Sequence, residues 1–358
     1  MTLISRLDRY IMVHIFGLTA IAALALSAIY TFITFVSESG DIGKGNYGVW
    51  QLAGYVLWQI PTSLQVLLPI IALLGTLMGL GTLAAQNEIT AMRAAGVSLT
   101  RIGRATLMAG LLIGAFNLVL GDWLAPLGKQ NATELREQYR RGRVPGTINQ
   151  PVWLREGNVI LHVGQVKTET EVADIVAYSL RPDDLGLAAV VHAEEASYVD
   201  GRWQARKVRR TDFGEGGAKV AELPEMVWEG NISPEVLRLV MLKSNAISIR
   251  GLMQLTSYLQ ANGLDDRQYR LELYRKLMAP LTVMAMMLFA VPFVMGSLRD
   301  SGTGQRLLFG VLVGVAFYMA NEVTANTGQI GGWPPILSAG LPTFLLGGVA
   351  AWRLVRAR

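Results

Sequence analysis

Six long apolar stretches, three before and three after one polar insert, constrain this chain more than any other feature. A spanning helix needs about 20 mostly apolar residues. The first candidate is Tyr10–Val36. The second, within Leu52–Gln86, is too long for one perpendicular span and must tilt or project beyond the lipid. Pro61 and Pro69 can kink it. Ile102–Gly121, Leu277–Leu298, Leu307–Thr327 and Pro334–Leu354 complete the set. Pro334 and Pro335 suit the first turn of a helix, and Trp333 and Trp352 stand at the ends of the last stretch, where interfacial aromatics belong. A chain built this way has its body in lipid and one folded domain outside it. Only 16% of its 358 residues are charged, against about a quarter in a soluble domain. Most soluble-enzyme readings are thereby excluded.

The spacing predicts three parts: 1–125 with the first three spans, 126–265 as an all-β insert with a connecting helix, and 266–358 with the last three spans. Within the insert, Val159–Lys167, Val172–Leu180, Ala188–Val199, Trp203–Thr211 and Lys219–Trp228 read as strands, rich in Val, Ile, Tyr and Trp and separated by turn residues. Asp200-Gly201 between two of them is a strong hairpin signal. Five or more strands at this spacing suggest a sandwich or jelly roll. A helix over Ile249–Ala261 follows, capped by Ser248 and ended by Asn262-Gly263, and Asp265–Lys276 reads as the start of the fourth span extended into water. With no cysteine, the insert must be held by packing alone.

Orientation follows from basic residues in short flanks. One side holds Arg6, Arg9, Arg93, Arg101, Arg104, Arg299, Arg306, Arg353, Arg356 and Arg358; the short loops of the other hold only Lys44. The first side is therefore cytoplasmic, with both termini inside, and the insert lies outside, in the periplasm of a Gram-negative cell. These scattered arginines also account for the net charge of +5 without nucleic acid. The N-terminus reads as a retained span rather than a cleavable signal, because its apolar run is too long and lacks a small-residue cleavage motif.

Catalytic signals are scarce. There is no P-loop, HExxH or GxSxG pattern, and His14, His162 and His192 lack metal-ligand spacing. The strongest local signal is the cytoplasmic connection Gln86–Ser98, read as a short helix near 87–95. Gly96 can end that helix in the left-handed conformation, and Ser98 can cap the next. Two turns would put Glu88, Met92 and Ala95 on one face with Ala91 beside them. One carboxylate among small residues suits docking into a partner's groove; a polar hairpin resting on lipid headgroups is the plainer alternative.

Leu73–Gly81, leading into Asn87-Glu88-Ile89-Thr90-Ala91-Met92-Arg93 and Ala95-Gly96-Val97-Ser98, resembles the signature of the LptF/LptG permease family, the membrane subunits of the lipopolysaccharide exporter. Leu7-Asp8-Arg9-Tyr10-Ile11 and Tyr269–Pro280 resemble it too, so the likeness spans nearly the whole chain; the Asn87–Ser98 segment is closer to the LptG branch. The resemblance implies a non-catalytic subunit of an ATP-driven exporter that takes lipopolysaccharide from the inner membrane to a periplasmic bridge. The implied partners are LptF as the sister permease, a dimer of the ATPase LptB, and LptC. ATP and Mg2+ would sit on LptB, with no cofactor on this chain. The Glu88 segment, with Ala91, Met92, Arg93 and Ala95, would be the coupling helix, and the insert a β-jellyroll.

The resemblance also implies a lipopolysaccharide cavity lined by spans one, two and five. Such a cavity needs an apolar wall and a cationic rim. Ile21, Leu24, Ala28, Ile29 and Phe32 could supply the wall from span one, Leu64, Leu67 and Leu68 from span two, and Phe317 and Met319 from span five. Lys44, Arg275 and Lys276, with Arg267 and Arg270 above, could form the rim, where phosphate gains a charge-assisted bond. Snorkelling at the interface is the plainer reading of each cation. Glu322, about 22 Å into span five, is an intramembrane carboxylate that should face a cavity or a partner. Two other classes remain: a membrane-anchored scaffold whose β-domain recruits partners without transport, and an intramembrane lipid enzyme, for which Glu322 is the one candidate group.

Overall fold

The structure, a computed structural model, describes residues 5–141, 151–168, 170–181, 186–214, 217–228, 232–242, 244–295 and 302–356. The expected end of span four at Leu298, and the flanking Arg299 and Arg358, lie outside the described residues. The chain order begins with α1 (Arg6–Glu38), α2 (Val49–Ala85), α3 (Glu88–Ala94), α4 (Leu99–Val119) and α5 (Ala125–Arg141). Strands β1 (Val152–Glu156), β2 (Val159–Val166), β3 (Glu171–Leu180), β4 (Leu187–Val199), β5 (Arg202–Gly214) and β6 (Gly217–Trp228) follow. Then come α6 (Pro234–Met241), α7 (Ile249–Ala261), α8 (Arg267–Met295), α9 (Thr303–Ile330) and α10 (Pro335–Arg356). Two compact units emerge: Met1–Ile42, Gly48–Thr133 and Arg270–Arg358 form one, Gly43–Tyr47 and Glu134–Tyr269 the other.

Six helical segments of this chain are long and apolar enough to cross a membrane, so it is a multi-pass membrane protein. The third runs well beyond the expected Gly121: α4 passes through a π-turn at Leu120–Leu124 into α5, and the whole segment Leu99–Arg140 is helical. Helix α2 continues through both Pro61 and Pro69. Ser5 opens α1 with a capping box to Asp8. Pro335 is the first residue of α10, where its missing N–H costs nothing.

Lipid tails are as apolar as leucine, so helices in a membrane associate through close packing of small residues. Gly75 and Gly79 of α2 face α1. A Cβ on Gly75 would lie 2.5 Å from Thr19 Cα, and one on Gly79 would lie 3.1 Å from Ile15 Cα. This GxxxG spacing lets the two backbones touch. Around that crossing Ile15, Ile71, Leu73, Leu77, Leu80, Ile102, Met286, Met287 and Val291 are fully buried. Helix α2 is the central element, with 67% of its most apolar stretch buried, against 28% for α1 and 11% for α9. Arg306, expected on the cytoplasmic flank, is instead buried 3% exposed, its guanidinium where a Gly81 side chain would stand.

In the second unit, the six strands form one antiparallel sheet in the order β1-β2-β3-β4-β5-β6. Asp200 (φ +50°) and Gly201 (φ +81°) make the predicted hairpin between β4 and β5; positive φ at both central positions is the type I′ signature. Strand β1 and helix α6 were not foreseen. Strand β1 is only five residues long and α6 only eight, too short for a clear period.

The sandwich expectation takes an unexpected form: a single sheet folded on itself along a transverse line. Gly164, Asp174, Glu194, Lys207 and Pro224 stand opposite one another on successive strands, and each is skipped in the ladder. Asp174 (φ +53°) and Lys207 (φ +52°) adopt left-handed backbone there, uncommon for residues other than glycine. At this line the inward alternation changes phase. The buried pairs Val163/Val166, Val172/Ile175, Ala193/Ala196 and Ala205/Val208 are three apart, where an unbroken strand would give two or four. Both leaves then face the same interior. Lys207 hydrogen-bonds Glu194 at the line, which raises its pKa. The sheet and α6 line a groove whose walls are wholly apolar, among them Leu161, Ile175, Val191, Trp203, Met226 and Trp228. Helix α7 ends in a Schellman turn: Gly263 N–H reaches Gln260 O and Leu264 N–H reaches Leu259 O.

Candidate functional site

The connection between α2 and α4 is built as its residues dictate. Asn87, in left-handed conformation (φ +60°), turns the chain out of α2 and starts α3. Gly96 (φ +87°) ends it: Gly96 N–H reaches Arg93 O and Val97 N–H reaches Met92 O, a Schellman cap. Ser98 occupies the next cap position, but its hydroxyl meets Thr100 Oγ1 at 3.0 Å rather than a helix N–H. Ile89 is buried 4% exposed and anchors α3.

The expected face of Glu88, Met92 and Ala95 does not all point outward. Met92 is half-buried and packs on the core. Glu88 accepts a 2.8 Å hydrogen bond from the Tyr10 hydroxyl of α1. The free surface of α3 is carried by Thr90, Ala91, Arg93, Ala94 and Ala95, small residues around one cation. Beside it, Asp8 of α1 is buried 1% exposed, 3.6 Å from Arg101 Nε and 3.7 Å from Arg104 Nη2 of α4. Arg101 also donates to Ser5 Oγ at 2.9 Å. A spacing argument could not pair residues 78 and 96 positions apart.

At the other end of the helical unit, two expected rim cations have different roles. Lys276 is buried 4% exposed, and its Nζ donates at 2.8 Å to the Gly121 carbonyl. A π-turn frees carbonyls from the regular ladder, and Lys276 satisfies one, with Asp122 and Glu272 supplying countercharge. It is an internal tie between α8 and the π-turn, not a rim residue. Arg275 is half-buried and donates at 3.0 Å to Glu322 of α9. Helix α9 begins at Thr303, earlier than expected, so Glu322 lies about 28 Å along it. Arg267 instead donates its backbone N–H to Asp265 at α8's start. Lys44 is exposed, in the Gly43–Tyr47 segment of the second unit.

Of the expected apolar wall, Ile21, Leu24, Ala28, Ile29 and Phe32 on α1 and Met319 on α9 are exposed. Leu68 is buried 4% exposed within the helical core and cannot line a cavity. Leu64, Leu67 and Phe317 are half-buried against that core. The exposed apolar faces of α1 and α9 are thus left for lipid or another membrane-embedded surface. Among the described residues no group of three His, Asp or Glu side chains could hold a metal ion.

The chain matches the family model described as "Lipopolysaccharide export system permease LptF/LptG" over residues 9–356. It is 32% identical over 358 residues to the lipopolysaccharide export system permease protein LptG of Haemophilus influenzae, covering 99% of this chain and all of that protein. It is 30% identical over 353 residues to the Escherichia coli K12 protein of the same name, covering 98% of each. Six membrane helices around a strand-rich insert, a capped short helix between the second and third, and a likeness that runs nearly end to end all agree: the chain belongs to the LptF/LptG family of lipopolysaccharide export permeases.

Proposed function

We propose that this chain is the LptG-type permease subunit of an ATP-driven lipopolysaccharide exporter and breaks no covalent bond itself. The observation that carries the reading is the family match over residues 9–356, which takes in all six spans, α3 and the β-unit together. The proposed partners are LptF, an LptB dimer and LptC, with ATP and Mg2+ held by LptB. Both termini and α3 lie in the cytoplasm, and the β-unit in the periplasm.

In this reading α3 docks on LptB through Ala91, Arg93 and Ala95, with Glu88 at the edge of the contact. Small exposed side chains allow close approach, and a cation beside them selects an acidic groove. The exposed apolar face of α1, with Ile21, Leu24, Ile29 and Phe32, contributes one wall of a lipid cavity shared with LptF. Arg275, in exchange with Glu322, faces the substrate's phosphates. ATP closure of the LptB dimer displaces α3, narrows the cavity and moves the lipid outward.

Co-purification from native membrane tests the assignment: a sister permease and an ATPase should accompany the chain. Glu88→Ala should lower complex assembly or ATP-dependent lipid release; unchanged values for both would remove Glu88 from the coupling contact. Photo-crosslinking from Leu24 and Phe32 should capture lipopolysaccharide, and its failure at both positions would favour a scaffold without transport.

A further inference from the structure

The first turn of α1 is held on both sides of α3. On one side the Tyr10 hydroxyl donates to Glu88, the first residue of α3. On the other, Asp8 faces Arg101 and Arg104 in the opening turns of α4, and Arg101 reaches back to Ser5. These contacts bracket the whole connection, entering and leaving it. The Asp8 side chain is 1% exposed while Arg101 and Arg104 are 40% and 62% exposed, so losing both arginines would leave a buried carboxylate without countercharge. Above this joint, α1 packs closely on α2 at Gly75 and Gly79, where Thr19 and Ile15 of α1 come against the glycines.

We infer that Tyr10 and Asp8 are positioning residues that join α3 to the base of α1, so that α1 is the helix that α3 moves first. A displacement of α3 cannot leave the base of α1 behind without breaking the Tyr10–Glu88 hydrogen bond, and the start of α4 that follows α3 cannot part from α1 without separating Asp8 from Arg101 and Arg104. The small exposed face of α3 is the input, the joint transmits, and α1 is the output, carrying Ile21, Leu24 and Phe32 with it. This rests on the proposed coupling of α3 to an ATPase and adds which helix receives the motion.

The chain contains no cysteine, so introduced pairs can be spin-labelled without background from it. In the purified exporter reconstituted in lipid nanodiscs, distances are read for Ala94→Cys with Val349→Cys (α3 to α10) and for Val13→Cys with Val349→Cys (α1 to α10). Each pair is measured without nucleotide and after trapping with ATP and vanadate. In the unaltered background both distances should shift. With Tyr10→Phe plus Asp8→Asn, the α3 shift should persist while the α1 shift falls by more than half. Lipid release per ATP hydrolysed should then drop roughly fivefold or more, the low end of ordinary coupling between sites. Asp8→Glu, which keeps the charge, should restore coupling, and Tyr10→Phe alone serves if the double variant fails to assemble. An undiminished α1 shift in these variants overturns the joint. An α3 distance indifferent to nucleotide in the unaltered exporter overturns the coupling role of α3 itself.

Discussion

Gly75→Ala should loosen the α1–α2 crossing by an amount the geometry sets. The added Cβ would stand 2.1 Å from Thr19 Oγ1, 2.7 Å from its Cβ and 2.5 Å from its Cα. Real contacts at such a crossing need about 3.4 Å, so the helices must part by about 1 Å, and a gap of that size forfeits a quarter to a half of each dispersion well it opens. Overpacking of this kind costs about 1–3 kcal/mol. Against it stands about 0.5–1 kcal/mol from replacing a mid-helix glycine by alanine. The net loss is centred on about 1 kcal/mol (about 0–2.5), or about 2–4 °C in the midpoint at which detergent-solubilised protein loses its monodisperse state. Gly17→Ala, on α1 with nothing within 4 Å of the added carbon, is the control and should hold or raise the midpoint. Pairing Gly75→Ala with Thr19→Gly should recover only part of the loss, because Thr19 Cα, the backbone atom, still stands in the way. A Gly75→Ala midpoint equal to that of Gly17→Ala, or full recovery in the pair, would refute the claim that these backbones touch.

Two further outcomes follow from individual contacts. Lys276→Met keeps the bulk of the side chain but leaves the Gly121 carbonyl without its donor; the midpoint should drop by the cost of an unsatisfied buried acceptor, about 1–3 kcal/mol, and hydrogen exchange should rise around Leu120–Leu124. The hydroxyl of Tyr258 donates to Arg155 O, and burial raises its pKa above the ordinary value of 10.0. The neutral form is therefore favoured in the folded state: the contribution is fully present below pH 10 and is lost as pH rises through the raised folded value. Tyrosinate absorbance in Tyr258→Phe should accordingly lose one component that titrates above the ordinary tyrosine value in the unaltered protein.

Length and hydropathy alone located the six spans, because a helix crossing lipid must satisfy every backbone group internally and present about 20 apolar residues. Local rules were equally legible where one or two residues decide the backbone: Asp200-Gly201 for the hairpin, Gly96 and Asn262-Gly263 for the helix ends. The fold line in the β-unit was written in the sequence but not read. Val163-Gly-Gln-Val166, Val172-Ala-Asp-Ile175, Ala193-Glu-Glu-Ala196 and Ala205-Arg-Lys-Val208 each break the two-residue alternation, and the break means little until the strands are aligned.

Side-chain partners across distant helices were decided by the tertiary structure. Lys276 and Arg275 are neighbours in sequence and look alike as cations at a helix end. Helical rotation of about 100° per residue turns one inward to the Gly121 carbonyl and leaves the other for Glu322. Leu68 and Leu24 are equally apolar, yet one is core and the other faces outward. Composition tells how much a residue resists water; only packing determines which neighbour takes the water's place.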